Sequence, residues 1–381
     1  MSCELKSETD RNFSYNGLTI RVSSTDSSHL SWLEEFLSPD FEVGDDFAYD
    51  CKVVLTADSH RYKDVLGKGP QPDGAQIDCF ALDSSVVRLP LWMSSSDEQI
   101  VFDEKFGVFY VISGNRPDFS ILTHDNNMRA RTPLMRAVRE FAMNHSHRSG
   151  CLVIHGSAFV VGGRGVVIAG PKRAGKTTLL IHVLRQAGAQ YLSNDRVVVS
   201  FEETGPTMRG MPTIVAIRQG TLEMFPDLRR RLLVDSFHHR LGRSEPTQGI
   251  PPPIRPRRDG RFNLSPWQFC ELLGVSAGAQ GRVQALVFPR VTGEGGAIEL
   301  EQLSAEAAAV RLSKSLFGAG PALLVSTVFA LSGNDVRPAQ ATLESLCDRL
   351  TSQVRCFECR LGEEAFQSEG SVAMFLRHVM G

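Results

Sequence analysis

Gly170, Pro171, Lys172, Arg173, Ala174, Gly175, Lys176, Thr177 and Thr178 follow one another near the middle of the chain, in the spacing G-x-x-x-x-G-K-[ST]. Each position has a mechanical reason. The glycines let the backbone curl so that successive N–H groups point inward at phosphate oxygens. Lys176 then reaches the β- and γ-phosphates, and the Thr177 hydroxyl ligates Mg2+. The chemistry implied is the binding of ATP with Mg2+. A chance match in an ordinary strand–helix turn is the competing reading, and the flanking residues decide between the two.

Upstream, Gly165-Val-Val-Ile-Ala169 is a short apolar, β-branched run, the pattern of a buried strand. Downstream, apolar residues at 179, 180, 183, 184 and 187 have helical spacing, with Gly188 set to end the helix. Strand, glycine loop and helix N-terminus in series make an anion site, because unpaired N–H groups and the helix dipole both favour phosphate. Two groups with acid–base capacity lie within reach in sequence. Asp195 follows Lys176 by nineteen residues, room for one helix and a turn. The strand ending near Ser193 is therefore expected beside the loop's own strand, and Asp195 close to Thr177. A carboxylate there serves a metal or an attacking hydroxyl, although the run before it is too polar for a good Walker B and a turn aspartate is the alternative. His155 separates two apolar runs, Cys151–Ile154 and Ala158–Val161, read as two strands feeding the loop. Structural and catalytic roles are equally open for it.

Taken in order, His155-Gly156 after a strand, a loop ending Lys176-Thr177, the segment Ser193-Asn194-Asp195-Arg196-Val197, and Met208-Arg-Gly-Met-Pro-Thr-Ile214 resemble a known family. It is that of the HPr serine kinase/phosphorylase catalytic domain, which has the phosphoenolpyruvate carboxykinase type of nucleotide site. The resemblance covers residues 150–220 and implies an α/β, P-loop-containing catalytic domain that uses ATP and Mg2+ to phosphorylate a hydroxyl. Carried over by position, His155, Gly170, Gly175, Lys176, Thr177, Asp195, Arg196, Arg209 and Gly210 match. The implied roles are Asp195, helped by His155, for deprotonating the acceptor, Thr177 and Asp195 for the metal, and Arg196 or Arg209 for steadying phosphate charge. Two departures stand out. The family's tandem aspartates are Asn194-Asp195 here, and its metal-binding glutamate, two residues before the Arg-Gly pair, is Thr207, with Glu202 or Glu203 the nearest replacements. These losses point away from HPr as substrate and towards a specialised relative. More remote members of the group phosphorylate other hydroxyls, including serines of ribosomally made peptides. Oligomerisation into homo-oligomers is also implied by the resemblance.

The chain's 381 residues suffice for two domains, and 42% apolar and 22% charged residues are those of a globular protein. A formal net charge of −2 provides no global field for nucleic acid or an anionic membrane. The polar start lacks the apolar core of a secretory signal, and no apolar run approaches the roughly 20 residues needed to span a bilayer. A reduced, cytoplasmic protein is the expectation. Among the scattered cysteines, Cys356 and Cys359 form a close pair, but VRCFECRLG read as a strand puts them on opposite faces, which favours a structural role.

Residues 1–125 are expected to form a strand-rich α+β domain for accessory or substrate-recognition duties. Its strands are read at 18–22, 51–57, 86–92, 99–104, 107–113 and 119–123, with an amphipathic helix at 28–37. Residues 126–381 then make the catalytic domain, with a helix at 132–144, strands around the loop and at 212–217 and 285–288, and helices near 304–317, 339–352 and 371–380. Residues 229–261 carry nine arginines against three acids around Pro251–Pro253, either a solvated loop or a flap gripping phosphate or an acidic partner. Too few aromatic residues interleave there to stack bases. Three functional readings follow: a kinase acting on a serine of a peptide or protein, a small-metabolite kinase, and a nucleotide-binding switch with slow or absent turnover.

Overall fold

The computed structural model of the chain describes residues 9–45, 48–69, 74–82, 85–94, 98–113, 118–186, 188–234, 261–292, 296, 298–320, 323, 327–329, 338–366 and 369–381. The fold is mixed α/β, divided into two compact units. The first ends at His145 and includes the short turn Thr327–Phe329; the second begins at Ser146. The sequence-based boundary, 125/126, lies upstream of the helix in whose last turn the units part.

The first unit contains β1 (Thr9–Tyr15), β2 (Leu18–Ser24), α1 (Ser27–Leu37), β3 (Glu42–Gly44), β4 (Cys51–Ala57), α2 (Ser59–Gly67), β5 (Gln76–Leu82), β6 (Ser85–Met93), β7 (Glu98–Asp103), β8 (Val108–Ser113), β9 (Asp118–Thr123) and most of α3 (Arg131–Arg148). Nine strands form one sheet in the order β3-β1-β2-β4-β9-β8-β7-β6-β5. The β2–β4 and β4–β9 pairs are parallel, as crossovers through α1 and α2 require. Asp26 and Asp58 start those helices by accepting backbone N–H bonds. β1 escapes the alternation pattern because only Phe13 and Tyr15 of its seven residues are apolar.

The second unit contains β10 (Leu152–Val161), β11 (Arg164–Ala169), α4 (Lys176–Leu184), β12 (Ala189–Ser193), β13 (Arg196–Glu202), β14 (Gly205–Gly210), β15 (Val215–Arg218), α5 (Gln219–Glu223), α6 (Pro226–Val234), β16 (Arg261–Leu264), α7 (Pro266–Leu273), β17 (Gln280–Val291), β18 (Ile298–Gln302), α8 (Ala305–Ser313), α9 (Gln340–Gln353), β19 (Arg355–Leu361) and α10 (Glu369–Met380). Its main sheet runs β11-β10-β13-β14-β17-β19-β18, with β12 also on β10. Because β17 pairs with β11 as well, the strands β11, β10, β13, β14 and β17 close into a ring. β15 and β16 form a separate ribbon. Alternation along the strands feeds two cores. Ile154, Ala158 and Val167 join Leu312, Leu343 and Leu350 on one side, while Phe159, Val166 and Ile168 join Leu179, Leu180, Val183 and Leu184 on the other. Each such buried side chain contributes about 1.5–3 kcal/mol relative to exposure.

Several expectations are corrected here. The two runs on either side of His155-Gly-Ser are one strand, β10. Gly156 sits within it because a Cβ there would lie 2.7 Å from the Ile168 carbonyl oxygen, so only glycine permits the close approach to β11. β12 lies beside β10, not beside β11. The second edge of β11 is taken by parallel β17, whose Ala285–Phe288 run is buried throughout, as parallel strands require. The helix expected to reach 317 ends at Ser313, since Ser315 and Phe317 bond to β10 instead. Cys356 and Cys359 are buried in different cores, and burial pushes both thiols up to about 12. Of the arginine-rich stretch, Arg229, Arg230 and Arg231 lie on α6 and Arg261 opens β16, whereas Arg240, Arg243, Arg255, Arg257 and Arg258 lie outside the described residues. Among the described residues no helix is long and apolar enough to cross a membrane.

Candidate functional site

Strand register brings the sequence-predicted groups to one rim of the ring. Ala169, the last residue of β11, is opposite Gly156 of β10, and His155 is opposite Arg196, the first residue of β13. The loop that leaves β11, the His155 side chain and the Asn194-Asp195 turn are therefore neighbours. The backbone around them is pinned: His155 N–H donates to Ser315 O at 2.6 Å, Gly156 N–H to Asp195 O at 3.0 Å, and the Ser157 hydroxyl to Asn194 O at 2.9 Å.

Gly175 starts α4 with φ 96°, a left-handed conformation that favours glycine. A Cβ there would lie 3.0 Å from Leu361 Cδ1 and 3.1 Å from Val291 Cγ2, so the conformation favours glycine and any larger residue also makes those two side chains give way. No side chain caps α4, which leaves its first N–H groups facing the loop. The Lys176 side chain is 9% exposed, and its ammonium donates to Gly170 O at 2.7 Å and Pro171 O at 3.0 Å. Burial lowers its pKa to about 8, against a smaller upward pull from the Asp195 carboxylate. The Thr177 hydroxyl donates to Asn194 Oδ1 at 3.2 Å.

Asp195 takes a different set of partners. Its Oδ1 lies 3.2 Å from His155 Nε2 and its Oδ2 3.5 Å from Arg196 Nε. The Arg196 guanidinium in turn stacks over Phe317, 4.6 Å from the ring centre. The sequence reading puts Asp195 close to Thr177, and both line one cleft. The Thr177 hydroxyl bond goes instead to Asn194, because the turn points successive side chains to different neighbours.

A cleft of about 720 Å3 opens over this rim. Lys172 to Thr178, His155, Asn194 and Asp195 line it, and Ile214, Ala216, Arg218, Met224, Arg261 and Val291 complete the walls. Arg196, Arg209, Thr207, Glu202 and Glu203 are not among the lining residues. Arg209 lies within β14, opposite Val198 and Gln280, and Thr207 spends its hydroxyl on Glu202 Oε1 at 2.9 Å. The residues that sequence reasoning missed are those of the β15–β16 ribbon, Gln219, Gly220, Thr221 and Met224 just after β15, and Val291, which lie far from the motif in sequence. The alternation in Val215-Ala-Ile-Arg218, which leaves Ala216 and Arg218 off the core side, is the signal that marks those two.

Curled loop, uncapped helix and buried ammonium make an anion cradle. Among the described residues no group of three His, Cys, Asp or Glu side chains is gathered to hold a metal ion. A cation here would draw on Thr177, Asp195 and the oxygens of a bound anion. No family model and no curated protein matches the chain.

Proposed function

We propose that the second unit is an HPr kinase-like P-loop domain, and that the chain transfers the γ-phosphate of ATP to a hydroxyl of a peptide, protein or small metabolite. One observation carries this reading: the Lys176 ammonium, the Thr177 hydroxyl and the His155–Asp195 pair all open on one cleft. The donor set suits Mg2+, which takes one or two protein oxygens and keeps phosphate and water for the rest. Thr177 and Asp195 would hold it, and when bound it neutralises charge on the phosphates.

The chain's own residues supply position and electrostatics, which is most of what phosphoryl transfer needs. The loop N–H groups and Lys176 hold the phosphates, with the ammonium exchanging two carbonyl oxygens for phosphate oxygens. The acceptor oxygen bonds to the γ-phosphorus as the bond to the bridging oxygen breaks, and ADP leaves with that electron pair. Asp195 takes the acceptor's proton, directly or through His155, whose ring nitrogen stands at hydrogen-bonding distance. A nucleotide-binding switch with little turnover is the second reading, favoured by Asn194 and Thr207 standing where the resembling family has carboxylates.

Incubation with ATP, Mg2+ and pools of serine peptides or hydroxylated metabolites distinguishes the two. Acceptor-dependent ADP release is expected. Tight ATP binding with no ADP release beyond background from any pool would leave the switch.

A further inference from the structure

The cleft carries more positive charge than a phosphate loop uses. Lys172, Arg173, Lys176, Arg218 and Arg261 line it, and Asp195 is the one carboxylate among the described lining residues. The first three belong to the loop and the start of α4. Arg218 and Arg261 come from elsewhere, the β15–β16 ribbon.

In that ribbon Arg218 is directly opposite Arg261, and Ala216 lies one alternation further along the same face. Residues paired across an antiparallel ribbon leave it on the same side, a few ångströms apart, and like charges so placed repel. The opposite face holds the ribbon in the core through Val215, Ile217, Phe262 and Leu264, all buried. The register is therefore fixed by packing, and it sets two arginines that both line the cleft directly opposite each other, with the small Ala216 on the same face. Such a pair is the arrangement that a carboxylate or phosphate grips in bidentate fashion.

We infer that Arg218 and Arg261 form a second anion subsite, and that the phosphoryl acceptor carries its own carboxylate or phosphate near the hydroxyl that reacts. The inference rests on the kinase reading for the word acceptor, but the subsite itself does not need it. Its anion comes from an acidic side chain beside a serine or from a small hydroxy acid.

The test titrates inorganic phosphate into the full chain saturated with Mg2+ and the non-hydrolysable analogue AMP-PNP, by calorimetry. The expected result is binding to the loaded protein that weakens about tenfold or more in Arg218→Gln and in Arg261→Gln, the equivalent of about 1.4 kcal/mol each. AMP-PNP affinity in both variants stays within about twofold, roughly 0.4 kcal/mol. Circular dichroism checks the fold, and Arg218→Lys, which keeps charge but not the planar fork, serves as the second variant with an intermediate loss. Absence of phosphate binding to the loaded protein, binding indifferent to the variants, or an equal loss of AMP-PNP affinity overturns the subsite. If the wild-type chain binds no AMP-PNP, the kinase reading fails, and the same phosphate titration on the unloaded chain decides the subsite alone. Competition against phosphate then separates the sources. Glycerate or a serine peptide with acidic neighbours displaces it, and the tighter of the two names the acceptor class. Glycerol or the matching Asn/Gln peptide competing equally well refutes the inference.

Discussion

His155 Nε2 stands 3.2 Å from Asp195 Oδ1; His155 lies on β10, and Asp195 immediately precedes β13, whose ladder with β10 pairs His155 with Arg196. The contact is set by backbone register rather than by a flexible side chain, and Arg196 holds the second carboxylate oxygen at 3.5 Å. A carboxylate held on both sides keeps one orientation towards the cleft. Replacing Asp195 with Asn should therefore lower kcat by about 10²–10⁴, the range for losing a general base, while ATP affinity changes only a few-fold. His155→Gln should cost less. Steady-state kinetics with separate nucleotide-binding measurements read the split; equal losses in both would leave Asp195 a purely metal-binding or structural role and no part as base.

Lys176 gives a pH dependence of definite sign. Below about pH 8 the lysine is charged in both the folded and unfolded chain, and the fold bears the cost of burying it. Between about 8 and the ordinary lysine value of 10.5, the unfolded chain keeps a proton that the folded chain has released. Stability of the ligand-free protein should rise with pH across that window, by on the order of 3 kcal/mol at most, relative to Lys176→Met. If nucleotide binding needs the ammonium, affinity should fall up to about tenfold per pH unit above about pH 8, where the ligand-free fold has released the proton and binding takes up one. Calorimetry in buffers of different ionisation enthalpy measures the uptake.

Under the proposed function, Lys176→Met also removes the charge that would steady the transferred group. Phosphoryl transfer should drop by at least about 10², the loss typical of one electrostatic donor, with the far-ultraviolet circular dichroism spectrum unchanged. Retained transfer would place the phosphate site elsewhere.

Asn194 accepts the Thr177 hydroxyl bond with a neutral amide oxygen. Asn194→Asp should keep that bond and add a negative charge next to the proposed cation position, so half-saturating Mg2+ should fall at least several-fold, well inside the roughly 4 kcal/mol that one added charge about 4 Å away supplies at an effective dielectric near 20. A Mg2+ titration of activity checks this. An unchanged requirement would separate Thr177 from the metal.

Gly175→Ala puts a Cβ 3.0–3.1 Å from Leu361 and Val291 at a residue with φ 96°. A loss of about 1–3 kcal/mol is expected from strain and crowding together. Thermal unfolding with and without ATP should show both the lower melting point and a weaker ligand shift.

The loop and its flanks were readable because their signals are local. Gly165–Ala169 and the 179–184 helix face have periodicities that need no partner, and the strand and helix stand where expected. What was not readable depends on contacts distant in sequence. Gly156 looks like a strand break until the Ile168 carbonyl is seen to occupy the space of its Cβ. The neighbour of β11 is β17, over a hundred residues on, and no local pattern distinguishes it from β12. Asn194 and Asp195 are adjacent letters whose side chains serve different partners, a difference made by the turn they share. Arg218 and Arg261 become one feature only through the register of their ribbon.

The closed ring of β11, β10, β13, β14 and β17 has a consequence for how the molecule can change. A closed circuit offers no terminal strand to peel off, so loosening it at one seam strains the others, and its amides at Val166–Ile168 and Val197–Val199 should be among the slowest to exchange with solvent. The groups that would hold and cut a phosphate are carried on the rim of that circuit, whereas the paired arginines sit on a ribbon outside it. Inheritance could therefore rewrite what the cleft accepts, residue by residue on the ribbon, without disturbing the rim to which the proposed function assigns the chemistry.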